Sequence, residues 1–166
     1  MTATYDCIAT TTLSSAQSSV TFSSISGSFT DLVLVTSMKA AAGYSSFGLM
    51  MQFNGDTGSN YSYTFMLGNG SSASSGRASN TSSGLIGTVS DSQFNICVSH
   101  IHNYSNTNTY KTFVSRDNAP NIRTGACVSL WRNTSAITSI LVKVDSGASN
   151  LLLSGSTFSL YGIKAE

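Results

Sequence analysis

Charge is what this sequence has least of. Asp, Glu, Lys and Arg make up 9 % of its 166 residues, against about 25 % in an ordinary globular domain. Eight basic and seven acidic residues leave a formal net charge of +1, and no two basic residues are adjacent. A chain of this kind lacks the electrostatic footprint of a nucleic-acid or anionic-membrane binder, and neither partner is expected. Weak colloidal repulsion favours association instead. Proline is nearly missing, with Pro120 alone, and glutamate is confined to Glu166. Cys7, Cys97 and Cys127 are odd in number and form no C-x-x-C. That argues against a complete disulfide framework or a zinc knuckle, and they read as buried free thiols. No apolar run reaches membrane-spanning length. The opening Met1-Thr2-Ala3-Thr4-Tyr5-Asp6 has neither a basic n-region nor an apolar core, so no signal peptide is expected.

What fills the sequence is Ser, Thr, Asn and Gly, set among 40 % hydrophobic residues that include 7 Tyr and 8 Phe. Disorder goes with high net charge and few aromatics, so the chain is expected to fold. Period-two patterns recur from end to end and no stretch carries a helical period. Over 31–38, Leu32, Leu34 and Met38 share one face, and over 137–144 the face of Ile140, Val142 and Val144 is apolar. Over 93–102, Phe94, Ile96 and Val98 share a face, which is expected to point into the core. Further strands are expected over 5–13, 20–25, 47–53, 61–67, 85–89, 110–116, 126–132 and 157–163. Turn signals separate them: Ser26-Gly27-Ser28, Asn54-Gly55-Asp56, Asn69-Gly70, Asp117-Asn118-Ala119-Pro120 and Asp145-Ser146-Gly147. Many short strands with frequent turns predict a single all-β domain over 1–166, an antiparallel β-sandwich of jelly-roll-like form. Residues 68–83 are nearly all Gly, Ser, Ala and Asn, with Arg77 their only charge. They read as a long exposed loop, either a passive connector or an arm that orders against a neighbouring subunit.

Three constellations could carry chemistry. Asp56-Thr57-Gly58-Ser59 matches the aspartic-protease signature, and Leu85-Ile86-Gly87 resembles its downstream element. That chemistry needs apolar residues just before the Asp; here Asn54-Gly55 precede it, which makes a β-turn. His100-Ile101-His102 puts two imidazoles on one strand face, as metal-binding jelly rolls do. No Glu follows at the required distance and the chain holds only two His. The pair is a weak metal candidate, and the alternative is that it caps the open end of the core face. Glycosidase chemistry needs two facing carboxylates, and nothing in the sequence pairs Asp6, Asp31, Asp56, Asp91, Asp117 and Asp145. No phosphate-binding loop, nucleophile elbow or dinucleotide fingerprint is present. The expectation is no enzyme, no catalytic residue and no cofactor. Tyr44, Tyr61, Tyr63, Tyr104, Tyr110, Tyr161 and Trp131 read either as sheet packing or as interface anchors or a carbohydrate platform. Tyr61, Tyr63, Arg77, Tyr104 and Trp131 are the interface candidates.

Several segments are similar to known sequences: Phe53-Asn54-Gly55-Asp56-Thr57-Gly58-Ser59-Asn60-Tyr61-Ser62-Tyr63, Gly68-Asn69-Gly70-Ser71-Ser72-Ala73-Ser74-Ser75, and the closing Ser156-Thr157-Phe158-Ser159-Leu160-Tyr161-Gly162-Ile163. With Ile8-Ala9-Thr10-Thr11-Thr12, Thr30-Asp31-Leu32-Val33-Leu34, Leu130-Trp131 and Ala136-Ile137-Thr138-Ser139-Ile140, they resemble a group of small proteins encoded in tailed-phage genomes. The resemblance spans nearly the whole chain. It implies a virion location after synthesis in the host bacterial cytoplasm, and a sandwich that cements or decorates capsids or sits on tails and fibres. It brings no catalytic set with it. The expected partners are the major capsid protein and further copies of the chain, as a homotrimer. The alternative is a tail, baseplate or fibre-tip domain that binds host glycans.

Overall fold

A computed structural model describes residues 4–43, 46–145 and 152–164. The described residues contain no helix. Their strands are β1 (Tyr5–Thr12), β2 (Ser19–Phe22), β3 (Asp31–Met38), β4 (Phe47–Phe53), β5 (Tyr61–Gly68), β6 (Ala73–Thr81), β7 (Gly84–Val89), β8 (Asn95–Ile101), β9 (Lys111–Ala119), β10 (Arg123–Trp131), β11 (Ile140–Val144) and β12 (Thr157–Ile163). They form an eight-stranded sheet in the order β1-β12-β3-β8-β9-β10-β5-β6 and a four-stranded sheet in the order β2-β11-β4-β7. The pairings are antiparallel throughout, so the chain is an all-β sandwich of jelly-roll-like form. The expected Tyr44, Ser146-Gly147 and Glu166 features lie outside the described residues.

Alternation builds the core. Leu32, Leu34 and Met38 from β3 meet Leu49, Met51 and Phe53 from β4 and Ile140, Val142 and Val144 from β11, all buried. Met50 alternates with Leu49 and Met51 and therefore points to the opposite face. It is buried in a second, smaller cluster with Leu85 and Cys127, against which Tyr63 and Phe65 pack. β5 thus contributes Tyr63 and Phe65 to packing beside the small sheet.

Two expectations need correction. Residues 68–83 are not one long loop: the turn signal at Asn69-Gly70 closes a hairpin, and Ala73–Thr81 pairs with β5 along its length. The Ser/Ala/Gly composition signalled too little apolar area to pack, but an edge strand is held by its backbone ladder and needs little burial. Asp117 is also not a turn residue. Strand β9 runs on through Ala119, and the turn is Ala119-Pro120-Asn121-Ile122, closed by Ile122 N–H donating to the Ala119 carbonyl at 2.9 Å. Pro120 at the second position and Asn121 at φ 65° in the third suit a type II turn.

Candidate functional site

The edge strand β7 decides which way the large sheet faces. Its six residues are all buried, so its free backbone groups need partners other than water. Three side chains of the large sheet supply them. Ser129 Oγ donates to the Leu85 carbonyl at 2.8 Å, Cys97 Sγ donates to the Ile86 carbonyl at 3.1 Å, and Thr88 N–H donates to Asp117 Oδ2 at 3.0 Å. The inner face of β8, β9 and β10 is therefore small and polar beneath β7, with Ser99 and Ser115 hydroxyls 2.8 Å apart. Close approach enforces this: a Cβ on Gly84 would stand 2.2 Å from the Phe113 ring, and one on Gly87 2.8 Å from Asp117 Cβ.

Ile96 and Val98 of β8 consequently face outward. Asn95, Cys97, Ser99 and Ile101 are buried, whereas Ile96 is exposed and Val98 and His100 are half-buried. The period-two pattern of 93–102 is as the sequence indicated, but the face is the opposite one. Register carries the apolar strip across the sheet. His100 lies opposite Val114, Val114 opposite Val128, and Val128 opposite Thr64, which is opposite Arg77. In the next row Val98 faces Arg116, Arg116 faces Ala126, and Ala126 faces Met66. Directly opposite residues are in contact distance, so Val114 meets Val128 in the first row, whereas in the second the exposed Arg116 stands between Val98 and Ala126. Met66 is 64 % exposed, Val128 51 %, Ile96 50 % and Val114 39 %, and Phe94 and Tyr110 extend the strip at 43 % and 55 %. Scattered exposed apolar residues are ordinary, and their grouping on one sheet face makes this face the candidate interaction surface. A shallow depression of about 550 Å³ beside Met66, Ala126 and Ala73 and another of about 290 Å³ beside Ile96 and Val98 give it relief.

Of the interface candidates, Arg77 is exposed and Tyr63 is half-buried, whereas Tyr61, Tyr104 and Trp131 are fully enclosed. Those three are core residues, and the packing alternative holds for them. Tyr61, Trp131, Phe53 and Phe113 form one aromatic cluster, with Phe53 5.1 Å from Phe113 and 5.4 Å from Trp131 between ring centroids. Phe53 N–H donates to the Tyr61 hydroxyl at 2.8 Å, and burial raises the Tyr61 pKa. Tyr104 donates to the Ser26 carbonyl and accepts from Phe29 N–H at 3.3 Å.

Asp56 is a turn residue. Asn54 and Gly55 take φ of 52° and 68°, and Asp56 N–H returns to the Phe53 carbonyl at 2.9 Å, as in a type I′ turn. Its carboxylate accepts from Trp131 Nε1 at 2.7 Å, Asn60 at 2.9 Å and Gly58 N–H at 2.9 Å. Burial works to raise the Asp56 pKa, but those hydrogen bonds outweigh it and hold the carboxyl below its ordinary value. The protease motif is thus consumed by a structural bond to the core tryptophan.

His100 and His102 stack at 6.4 Å between centroids, and His102 Nδ1 lies 3.8 Å from Asp31 Oδ2. They sit on the outward face, not at an open end of the core. No group of three or more His, Cys, Asp or Glu that could hold a metal occurs among the described residues.

Asp117 has a fully buried side chain and is paired to Arg123 at 3.0 Å. Burial raises the Asp117 pKa against the pull of Arg123, while Asp117 Oδ1 and Arg123 Nε have no partner. Cys97 and Cys127, on the same inner face, are pushed up to about 12 by burial. They are inert thiols, and with no access to solvent the cluster fastens β9 to the edge of the small sheet.

No protein-family model and no curated protein matches the chain. Among solved structures it is similar to the galectin LEC-6 of Caenorhabditis elegans, at 9 % identity and a TM-score of 0.35 over 94 % of this chain and 96 % of that one. It is similar to the alginate lyase Aly36B in complex with an alginate tetrasaccharide at 12 % identity and TM-score 0.40, covering 95 % and 80 % of the two chains. It also resembles the enzymatically active domain of tailspike protein 2 from bacteriophage CBA120 at 11 % identity and TM-score 0.38, covering 98 % of this chain and 29 % of that one.

Proposed function

We propose that this chain is a structural protein of a tailed-phage particle, a cement or decoration protein that bridges neighbouring major capsid subunits through the outer face of its eight-stranded sheet. The observation that carries the reading is the inversion of β8, β9 and β10. Their small polar residues are spent inward on the β7 backbone, and Ile96, Val98, Val114, Val128 and Met66 are left on the surface. Burying apolar area yields about 25 cal/mol per Å², so a copy seated across a capsomer boundary stabilises it in proportion to the strip it covers. In that role the protein opposes rupture by packaged DNA without any bond-making chemistry. Low charge fits the same role, since few ion pairs are stripped of water on seating. Glycan binding at the tail is less well supported, because Tyr61, Tyr104 and Trp131 are enclosed and form no platform for a sugar. The test is a cryo-EM reconstruction of the virion. Density for the sandwich on the head, outer face against capsid subunits, is expected; density confined to the tail, or a head-bound copy with that face bare, refutes the reading.

A further inference from the structure

Lys111 is fully buried, which is rare for a lysine. It opens β9 directly opposite Trp131, and no carboxylate among the described residues pairs with it. Its Nζ instead donates to three backbone carbonyls, those of Asn106 at 2.5 Å, Thr109 at 2.8 Å and Thr134 at 3.0 Å. An ammonium carries three N–H donors, so every one is used. The carbonyls come from two connections, 102–110 between β8 and β9 and 132–139 between β10 and β11. Asparagine turns shape the chain on both sides of the cage. Asn106 Oδ1 accepts from Asn108 N–H at 2.7 Å and Thr109 N–H at 3.1 Å, and Asn133 Oδ1 accepts from Ser135 N–H at 2.9 Å. A buried charge is costly unless it is hydrogen-bonded, and burial pulls the Lys111 pKa below its ordinary value. An apolar side chain would fill the same space without that cost, but it would leave the three carbonyls facing one another unpaired.

We propose that this cage is a monovalent-cation site made of backbone oxygen, which the chain fills with its own ammonium, and that its occupancy fastens connections 102–110 and 132–139 to the sandwich. Carbonyl dipoles aimed at one point repel one another, and a cation between them turns that repulsion into attraction. The oxygen set is neutral and small. Calcium takes about 6–8 oxygens with carboxylates among them, so the cage suits a singly charged N–H donor, a lysine or a primary alkylammonium. The roof is thin, since Thr109 and Thr134 are exposed residues, and a small ammonium can reach the cage once the lysine stem is shortened. The two connections are also joined by Ile137 N–H donating to the Tyr104 carbonyl at 2.9 Å, between two buried residues. That bond is independent of the lysine, so the sandwich is expected to survive its loss. The inference rests on the cage alone and stands whether or not the protein belongs to a virion.

Lys111→Ala removes Cγ, Cδ, Cε and Nζ, and n-propylammonium is that fragment as a free cation. Melting temperature and amide hydrogen exchange are measured on the full chain, on Lys111→Ala and on Lys111→Met. Each is taken with propylammonium chloride and with tetramethylammonium chloride at equal ionic strength. Both variants are expected to melt lower than the wild type by roughly 5–15 °C, because each leaves the carbonyls unpaired. The Thr109 and Ser135 amides, which sit beside the cage, exchange faster in both. Propylammonium raises the melting temperature of Lys111→Ala saturably and slows those amides again. It leaves the wild type and Lys111→Met unchanged, since their own side chains fill the space, and tetramethylammonium, which has no N–H, rescues none of them. A Lys111→Met chain as stable as the wild type overturns the proposal. So does equal rescue by tetramethylammonium, or a Lys111→Ala chain that propylammonium neither stabilises nor, if unfolded, refolds.

Discussion

Replacing Arg123 by methionine isolates the buried ion pair that fastens the two sheets. In the folded chain the Asp117 carboxylate is fully enclosed and receives one N–H from Arg123 at 3.0 Å and one from Thr88 at 3.0 Å, with Oδ1 unpaired. Arg123→Met leaves a buried carboxylate with a single donor. Removing one partner of a buried pair costs roughly 3–5 kcal/mol, and in a chain of this length each kcal/mol moves the melting temperature by about 2–4 °C. Urea unfolding at pH 7 is expected to show that loss. Asp117→Asn combined with Arg123→Met keeps an acceptor for Thr88 N–H without the charge, and recovers all but about 1–2 kcal/mol. The pH dependence follows from the raised Asp117 pKa. A carboxyl whose folded pKa lies above its unfolded value, near 3.9, contributes stability that is present below the unfolded pKa and is lost as pH rises through the folded one. The deficit of Arg123→Met therefore shrinks on acidification from pH 7 toward that range. A loss below about 1 kcal/mol at pH 7, or a deficit that does not change with pH, refutes the assignment of this pair as a desolvated clamp.

Two further outcomes are expected. A thiol reagent at pH 8 is expected to modify Cys7 alone in the native protein and all three cysteines after unfolding, because Cys97 and Cys127 are buried with pKa values near 12; native modification of more than one thiol would contradict their placement under β7. Trp131→Phe keeps the aromatic cluster but removes the 2.7 Å bond to Asp56, and is expected to cost roughly 1.5–3 kcal/mol because the acceptor is charged. Thermal melts measure it, and an unchanged midpoint would mean that the Asp56 turn does not depend on the indole.

Most of the strand pattern was legible because alternation and turn chemistry agreed. Asp31–Met38, Phe47–Phe53 and Thr157–Ile163 lie where period two placed them, and Asn54-Gly55 specified its turn type through two residues that tolerate positive φ. β6 was not legible, since its stability comes from the β5 ladder and the Phe65 ring, neither of which is encoded within the segment. The candidate surface was missed for a subtler reason. Alternation in 93–102 says that two faces differ but not which one is inside. The inward face was chosen by β7, whose backbone needs Cys97, Asp117 and Ser129, and that demand is visible only once β7 lies over the sheet. A signal was present in the sequence: β8 and β10 place Cys and Ser in alternation with Ile, Val, Ala or Leu. Such a strand can bury its polar face only where partners for those groups exist.

The proposed seating of the outer face on capsid subunits is tested most directly by rebinding to phage heads that lack this protein. Wild-type chain and a Val114→Lys/Val128→Lys variant, changed at two adjacent exposed positions of the strip, would be added to such heads and the bound fraction measured by co-sedimentation. The account predicts saturable binding of the wild type and a loss of at least tenfold in affinity for the variant, whose melting temperature stays within about 2 °C of wild type because surface changes are usually worth less than about 0.5 kcal/mol. Equal binding of the two chains, or no binding of the wild type, would contradict it.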